Sequence, residues 1–333
     1  MNAIASSFQP PWWLKGAHAQ TLAPYLFRPR LRPPWRTERL ELPDGDFVDL
    51  AHLDAAPGNA GARVCLFHGL EGNCGSHYIP SLAQALNAHG MAVTLMHMRG
   101  CSGEPNRLPR AYHSGDTGDM RHLFATLRAR EPGRTLLAVG FSLGGNALLK
   151  HLGEVRGDSE LAGAVAVSVP FDLALAAERI ARGFSRIYQA HLVRRMQAST
   201  RARSARHGGL PIDAARMAAA RTFRTFDDAV TAPLHGFADV DDYYARSSSR
   251  PWLPRIEVPT LILHARDDPF VGRAAVPGPD EVGAGVQLQI SERGGHVGFI
   301  AAGRWTRPYR WLDRRIPEWL EGAAGGYTGA GRE

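Results

Sequence analysis

From residue 63 to residue 169 the chain alternates strand and helix patterns without a break, and that order restricts the fold more than any other feature of the sequence. "ARVCLFHG" is a buried strand ending at Gly69, and "IPSLAQALNAHG" is a helix closed by Gly90. Strand 91–98, helix 116–130, strand 135–140, helix 143–154 and strand 161–169 then follow in turn. A strand that returns to the same sheet through a helix lies parallel to its predecessor, so the expected class is α/β, with a mostly parallel central sheet flanked by helices. Upstream, "TERLEL" and "DFVDLAHL" alternate like a hairpin across "PDG". Between 171 and 250 the pattern is wholly helical, with Leu173, Ala176, Ile180, Phe184, Ile187, Leu192 and Met196 at three-to-four spacing. Strands then resume at 259–265 and 286–290, before a closing helix in "PYRWLDRRIPEWLEG". The expected organisation is a core over 1–170 with an N-terminal extension, a helical cap insertion over 171–250, the rest of the core over 251–322, and a flexible Gly-rich tail over 323–333.

One connection in this series is unusual. "GFSLGG" places Ser142 on the turn where a strand becomes a helix, with Gly140 and Gly144 two residues to either side and Gly145 next. A hydroxyl there is thrust out of the sheet on a strained backbone, and side chains at the flanking glycines collide with neighbouring segments. The next helix begins at once, so the Leu143 N–H and the positive helix end point toward charge developing on a carbonyl oxygen. The G-x-S-x-G pattern alone is weak; its place between strand and helix makes it specific.

Serine needs a base, and the base needs a group to orient it. "RGGHVGF" brings His296 over the sheet just after the last strand, and "HARDDPFV" puts Asp267 and Asp268 at the end of the strand before, where catalytic groups of open α/β sheets gather. Two adjacent carboxylates cannot both face one imidazole. Pro269 stiffens the backbone after Asp268, which therefore suits the orienting role, while Asp267 suits a pairing with an arginine or with backbone N–H groups of the loop. The Gly-rich "HGLEGNCGSH" after the third strand is placed to give a second oxyanion donor, the Leu70 N–H, with Gly69 allowing close approach. His68 reads as a packing and hydrogen-bonding residue.

The net charge of +7 is concentrated: residues 172–224 hold eleven Arg against three acids, leaving 28 basic and 29 acidic residues elsewhere. That segment is either a solvated basic face or an anion-binding surface, with Arg194, Arg195, Arg201 and Arg203 turned to water or to a lipid headgroup. Cys65, Cys74 and Cys101 share no metal-ligand spacing, and the latter two are expected to border the site without acting. The N-terminal residues carry neither a charged leader nor an apolar h-region, and no apolar run spans a bilayer, so a cytoplasmic location is expected. No Walker, H-E-x-x-H or G-x-G-x-x-G pattern occurs; no cofactor and no metal are expected, and no nucleic-acid partner.

Beyond these readings, "GAHAQT", "HGLEGN", "MRGCSGEPNR", "YHSGDTGD", "GFSLGGN", "FDDAVTAPLHGFADVDDYY", "HARDDPFV" and "GGHVGF" together resemble the YheT-like hydrolases of the α/β-hydrolase superfamily, relatives of the mammalian membrane-associated ABHD lipases. The resemblance runs nearly end to end. It implies a serine carboxylic-ester hydrolase whose nucleophile is Ser142, acid Asp268, base His296 and oxyanion loop His68 to Gly72, acting on a short- to medium-chain or lipid-like ester. A thioesterase or acyltransferase would use the same groups. A basic-cap module binding anionic membranes or nucleic acid is the remaining alternative, against which three intact catalytic groups argue.

Overall fold

The computed structural model describes residues 2–26, 31–55, 61–303 and 308–326. Its centre is an eight-stranded sheet in the order β1-β2-β4-β3-β5-β6-β7-β8, built from β1 (Arg36–Glu41), β2 (Phe47–Leu53), β3 (Arg63–Phe67), β4 (Ala92–Met96), β5 (Leu136–Phe141), β6 (Gly163–Val167), β7 (Thr260–Ala265) and β8 (Val286–Ser291). β1 and β2 form an antiparallel hairpin closed at Gly45, whose φ of 84° suits glycine, and β2 is also antiparallel to β4. From β4 to β8 every pairing is parallel. The five strands from β4 to β7 in the sheet are buried at every position, because helices cover both faces; their sequences are accordingly continuous apolar runs without period-two alternation.

α2 (Ile79–Ala88) and α11 (Leu312–Gly326) cover one face, packing Leu82, Leu86, Ile316 and Leu320 on Leu66, Val93, Val139 and Val165. α3 (Gly118–Arg130) and α4 (Leu143–Val155) cover the other, with Phe124 and Leu148 against Phe67 and Ala138. Each fully buried Leu or Phe in these layers contributes on the order of 1.5–3 kcal/mol relative to exposure. Between β6 and β7 lies a helical insertion: α5 (Leu173–Ile180), α6 (Ser185–Arg206), α7 (Ala214–Ala219), α8 (Phe223–Phe226), α9 (Ala232–Leu234) and α10 (Val240–Ser247), with a π-turn at Asp227–Thr231.

Several details differ from the sequence expectation. A helix α1 (Ala17–Leu26) was not legible in the periodicity, and residue 3 bridges in parallel to Leu288 beside β8. Tyr309–Arg310 pair as β10 with β9 (Ile300–Ala301), so the closing helix starts only at Leu312. That helix also continues past 322: residues 323–326, expected in the flexible tail, are helical, and Ala323 and Ala324 pack on the α2/α11 core. The remainder of the tail, 327–333, lies outside the described residues.

Candidate active site

The carboxyl ends of β3, β5, β7 and β8 converge, as parallel sheets dictate, and the loops leaving them carry the candidate groups. Ser142 follows β5 directly, with φ 50° and ψ −117°, a conformation that non-glycine residues rarely adopt. Its N–H donates to the Val167 carbonyl at 2.9 Å, which helps hold the strained turn. The flanking glycines are required by space. A Cβ on Gly140 would lie 2.6 Å from the Gly144 carbonyl oxygen, and one on Gly144 would lie 2.6 Å from the carbonyl oxygens of His68 and Phe67. Gly145 is closed off by Val169 Cγ2 at 2.7 Å.

Ser142 Oγ stands 3.1 Å from His296 Nε2, and His296 Nδ1 stands 2.8 Å from Asp268 Oδ2. An ionised carboxylate only accepts, so the proton sits on Nδ1 and leaves Nε2 free to accept from the serine hydroxyl. Asp268 is 2% exposed, and its other oxygen takes the N–H groups of Phe270 at 2.8 Å and Val271 at 3.2 Å. Burial pushes the Asp268 carboxyl up, but the His296 ring, its hydrogen bond and the backbone donors outweigh that and hold it below the ordinary aspartate value. Asp267 points elsewhere: its Oδ1 accepts the Gly295 N–H at 3.0 Å, and burial raises its pKa. Phe270 stacks on the imidazole at 4.1 Å between centroids and 9° between planes, and Tyr188 of α6 stacks in turn on Phe270.

Sequence reasoning missed what holds the histidine loop. Thr21 Oγ1 accepts the His296 N–H at 3.0 Å, Ser168 Oγ accepts the Val297 N–H at 3.0 Å, and the buried Gln20 side chain brackets Ile300 by donating to its carbonyl at 2.9 Å and accepting its N–H at 2.8 Å. Gly295 and Gly298 let α1 approach, since a Cβ on either would meet its backbone at about 2.5 Å. The available signal was "GAHAQT", a polar motif in a segment otherwise without periodicity.

Leu70 and Leu143 flank Ser142 in the same cavity, and among the described residues neither N–H has a protein acceptor. The Leu70 loop is set by its neighbours: Gly69 N–H donates to Tyr78 Oη at 2.8 Å, and Glu71, at φ 54°, donates its N–H to Tyr112 Oη at 2.8 Å. His68 lies beneath as a structural group. It meets the Gly69 carbonyl through Nδ1 and accepts the Met98 N–H at Nε2, and burial drives its pKa down to about 4.

A cavity of about 160 Å³ opens over Ser142 and His296, roofed by the helical insertion. Leu173, Ala176, Ile180, Leu192 and Met196 of the sequence stripe line it. Phe184 and Ile187 do not: the helix breaks at Gly183, whose φ is 57°, and α6 restarts with those two side chains about half exposed. The arginines also divide. Arg194, Arg195 and Arg201 are exposed, Arg195 also donating to the Glu71 carbonyl at 2.8 Å, but Arg203 turns inward to line the cavity, against the expectation that all four face outward. Cys74 and Cys101 do not line the cavity, and burial pushes the Cys101 thiol up to about 12. Among the described residues no group of three His, Cys, Asp or Glu is arranged to hold a metal, and no helix is long and apolar enough to cross a membrane.

A model of the alpha/beta hydrolase fold matches residues 62–302. The chain is 43% identical to the Escherichia coli (strain K12) protein named "Putative esterase YheT", over 96% of this chain and 95% of that one. It is 28% identical to the phospholipase ABHD3 of Mus musculus, over 96% of this chain and 79% of the relative. Among solved structures the Pyrococcus furiosus esterase Pf2001 superposes with a TM-score of 0.55 at 16% identity, covering 97% of each chain, a likeness of fold.

Proposed function

Since this chain belongs to the YheT-like branch of the α/β-hydrolase fold family and is an ester-hydrolysing enzyme, we propose that it cleaves carboxylic esters through an acyl-enzyme on Ser142, with His296 as general base and Asp268 as the acid that orients it. The observation that carries this reading is the continuous contact from Ser142 Oγ to His296 Nε2, and from His296 Nδ1 to Asp268 Oδ2, at the floor of an apolar cavity.

In the first half-reaction the Ser142 oxygen attacks the ester carbonyl as its proton passes to His296 Nε2. The carbonyl oxygen becomes an oxyanion that the Leu70 and Leu143 N–H groups, which have no protein acceptor among the described residues, are available to stabilise. Collapse returns the proton to the leaving alcohol and leaves the acyl group on Ser142. Water then enters, gives its proton to Nε2 and attacks the same carbonyl; collapse frees the carboxylic acid and restores the serine. Asp268 stabilises the imidazolium in both steps without taking its proton, and the Phe270 stack keeps the ring in one plane.

The helical insertion acts as the cap of this site. A volume of about 160 Å³ is close to voids of roughly 150 Å³ that hold a benzene-sized guest, which favours an acyl chain of short to medium length. A p-nitrophenyl ester panel of increasing chain length, run with a fluorophosphonate label, tests the proposal. Ser142→Ala should abolish labelling and lower turnover by roughly four to six orders of magnitude while the variant stays folded. Retained labelling and hydrolysis in that variant would end the reading.

A further inference from the structure

The cavity over Ser142 holds a cation that the fold leaves without an ion-pair partner among the described residues. Arg203, in the last turn of α6, lines it together with Leu70, Glu71 and Ser142, and its Nη2 lies 3.5 Å from where a Cβ on Gly100 would stand. Among the described residues its guanidinium makes no hydrogen bond and has no carboxylate within 4 Å. Glu71, the acid whose charge it feels, is engaged elsewhere: one oxygen accepts Tyr112 Oη at 3.1 Å and the other Ser199 Oγ at 2.8 Å. Arg195 approaches the same loop by donating to the Glu71 carbonyl, and the Cys101 thiol feels Glu71 and both arginines. Glu71 is thus already engaged by two hydroxyls, and among the described residues the Arg203 guanidinium is left without an ion-pair or hydrogen-bond partner of its own.

The two most deeply buried arginines among the described residues are answered in kind. Arg99 pairs with Asp44, Asp46 and Asp119, and Arg63 pairs with Glu131. A guanidinium withdrawn from water without a counter-charge is destabilising, and burial does lower the Arg203 pKa, although an arginine stays protonated. Its five donors in a planar fork suit an oxyacid group, which they bind in a bidentate manner. Leu173, Ala176, Ile180, Phe226 and Val230 give the cavity an apolar wall, and the buried Asp227 among them is already occupied by the hydroxyls of Thr231 and Tyr244.

We propose that Arg203 recognises an anionic oxyacid group on the substrate, so that the ester carries a short apolar acyl chain and, elsewhere in the molecule, one carboxylate or phosphate. This deepens the esterase reading and rests on it for the identity of the reacting bond. The test reads binding apart from turnover. Calorimetric titrations of wild type, Arg203→Gln and Arg203→Lys with hexanoate, hexyl phosphate and hexanamide separate charge from chain. Wild type should bind at least one of the two anions about tenfold or more tighter than the amide, and whichever anion is preferred identifies the oxyacid. Arg203→Gln should cut that preference by about 10- to 100-fold, the range for a charge-assisted pair, and Arg203→Lys, which keeps the charge but loses the fork, by less. No anion preference in wild type, or an undiminished one in a folded Arg203→Gln protein, would overturn the proposal. Wild-type protein that prefers the anions yet hydrolyses no ester would instead remove the esterase reading and leave the anion site standing.

Discussion

Replacing Asp268 by asparagine puts the proposed proton path under direct test, because the surroundings of this side chain dictate how an amide must sit. Oδ1 of Asp268 accepts two backbone N–H groups, from Phe270 and Val271, while Oδ2 faces His296 Nδ1. In Asp268→Asn the amide oxygen stays with the two N–H donors, so the NH2 group turns toward the imidazole. Nδ1 must then accept, the ring proton moves to Nε2, and Nε2 can no longer take the serine proton. Flipping the amide would restore the correct tautomer but would leave two buried N–H groups facing a donor, at about 1–3 kcal/mol each. The competent arrangement is thus disfavoured by roughly 2–6 kcal/mol, about one and a half to four decades, and the wrong-tautomer effect in the serine-protease triad, about 10⁴, marks the upper end. Steady-state hydrolysis of p-nitrophenyl butyrate, with circular dichroism to show that the variant is folded, reads the loss in kcat. Asp267→Asn is the matched control: its amide oxygen can still accept the Gly295 N–H, and turnover should stay within about fivefold of wild type. A folded Asp268→Asn enzyme keeping more than a tenth of wild-type kcat, or a larger loss in Asp267→Asn, would refute the argument.

Gln20→Ala should lower kcat by about tenfold with a smaller change in KM, and lower the Tm by several degrees, because it strips buried hydrogen bonds from Ile300 in the histidine loop and from the Leu14 carbonyl; Michaelis kinetics and a melting curve check both. Stability should fall in mild acid. Burial lowers His68, His151 and His264 from 6.5 to about 4, so the unfolded chain takes up protons below pH 6.5 that the folded chain refuses until about pH 4; the stability is complete above 6.5 and is lost across that window, by roughly 3 kcal/mol per histidine. His264 has both ring nitrogens buried without a hydrogen-bond partner, so His264→Phe should show a smaller drop in urea midpoint between pH 7 and pH 5 than wild type.

The parts of this molecule legible in its sequence are those in which a short stretch carries its own constraint. Strands buried on both faces appear as unbroken apolar runs, and the glycines around Ser142 mark collisions within a few residues of the turn or with the adjacent strand end. Gln20 and Thr21 carried no such mark, since their partners lie 280 and 275 residues away and a lone polar side chain on a helix reveals nothing about what it will touch. The stripe over 173–196 misled at Phe184 and Ile187 for a different reason. Period counting assumes one continuous helix, and the left-handed residue at Gly183 resets the phase. Arg203 looked like one more solvated arginine among eleven because inward and outward directions on α6 depend on packing against loops from β3 and β4.

The grip of α1 on the histidine loop bears on the order in which the molecule comes into being. Thr21 and His296 are 275 residues apart, and at a synthesis rate of about 5–20 residues per second their meeting is delayed by roughly 14–55 s after Thr21 is made. Ser142 is made well within that interval, yet the base and its brace arrive only when β7, β8 and the loop beyond them have joined the sheet. A contact of this span is also slow to find, since loop closure precedes any gain from it. On the proposed mechanism the nascent chain therefore carries Ser142 without its base until the C-terminal part of the sheet is in place.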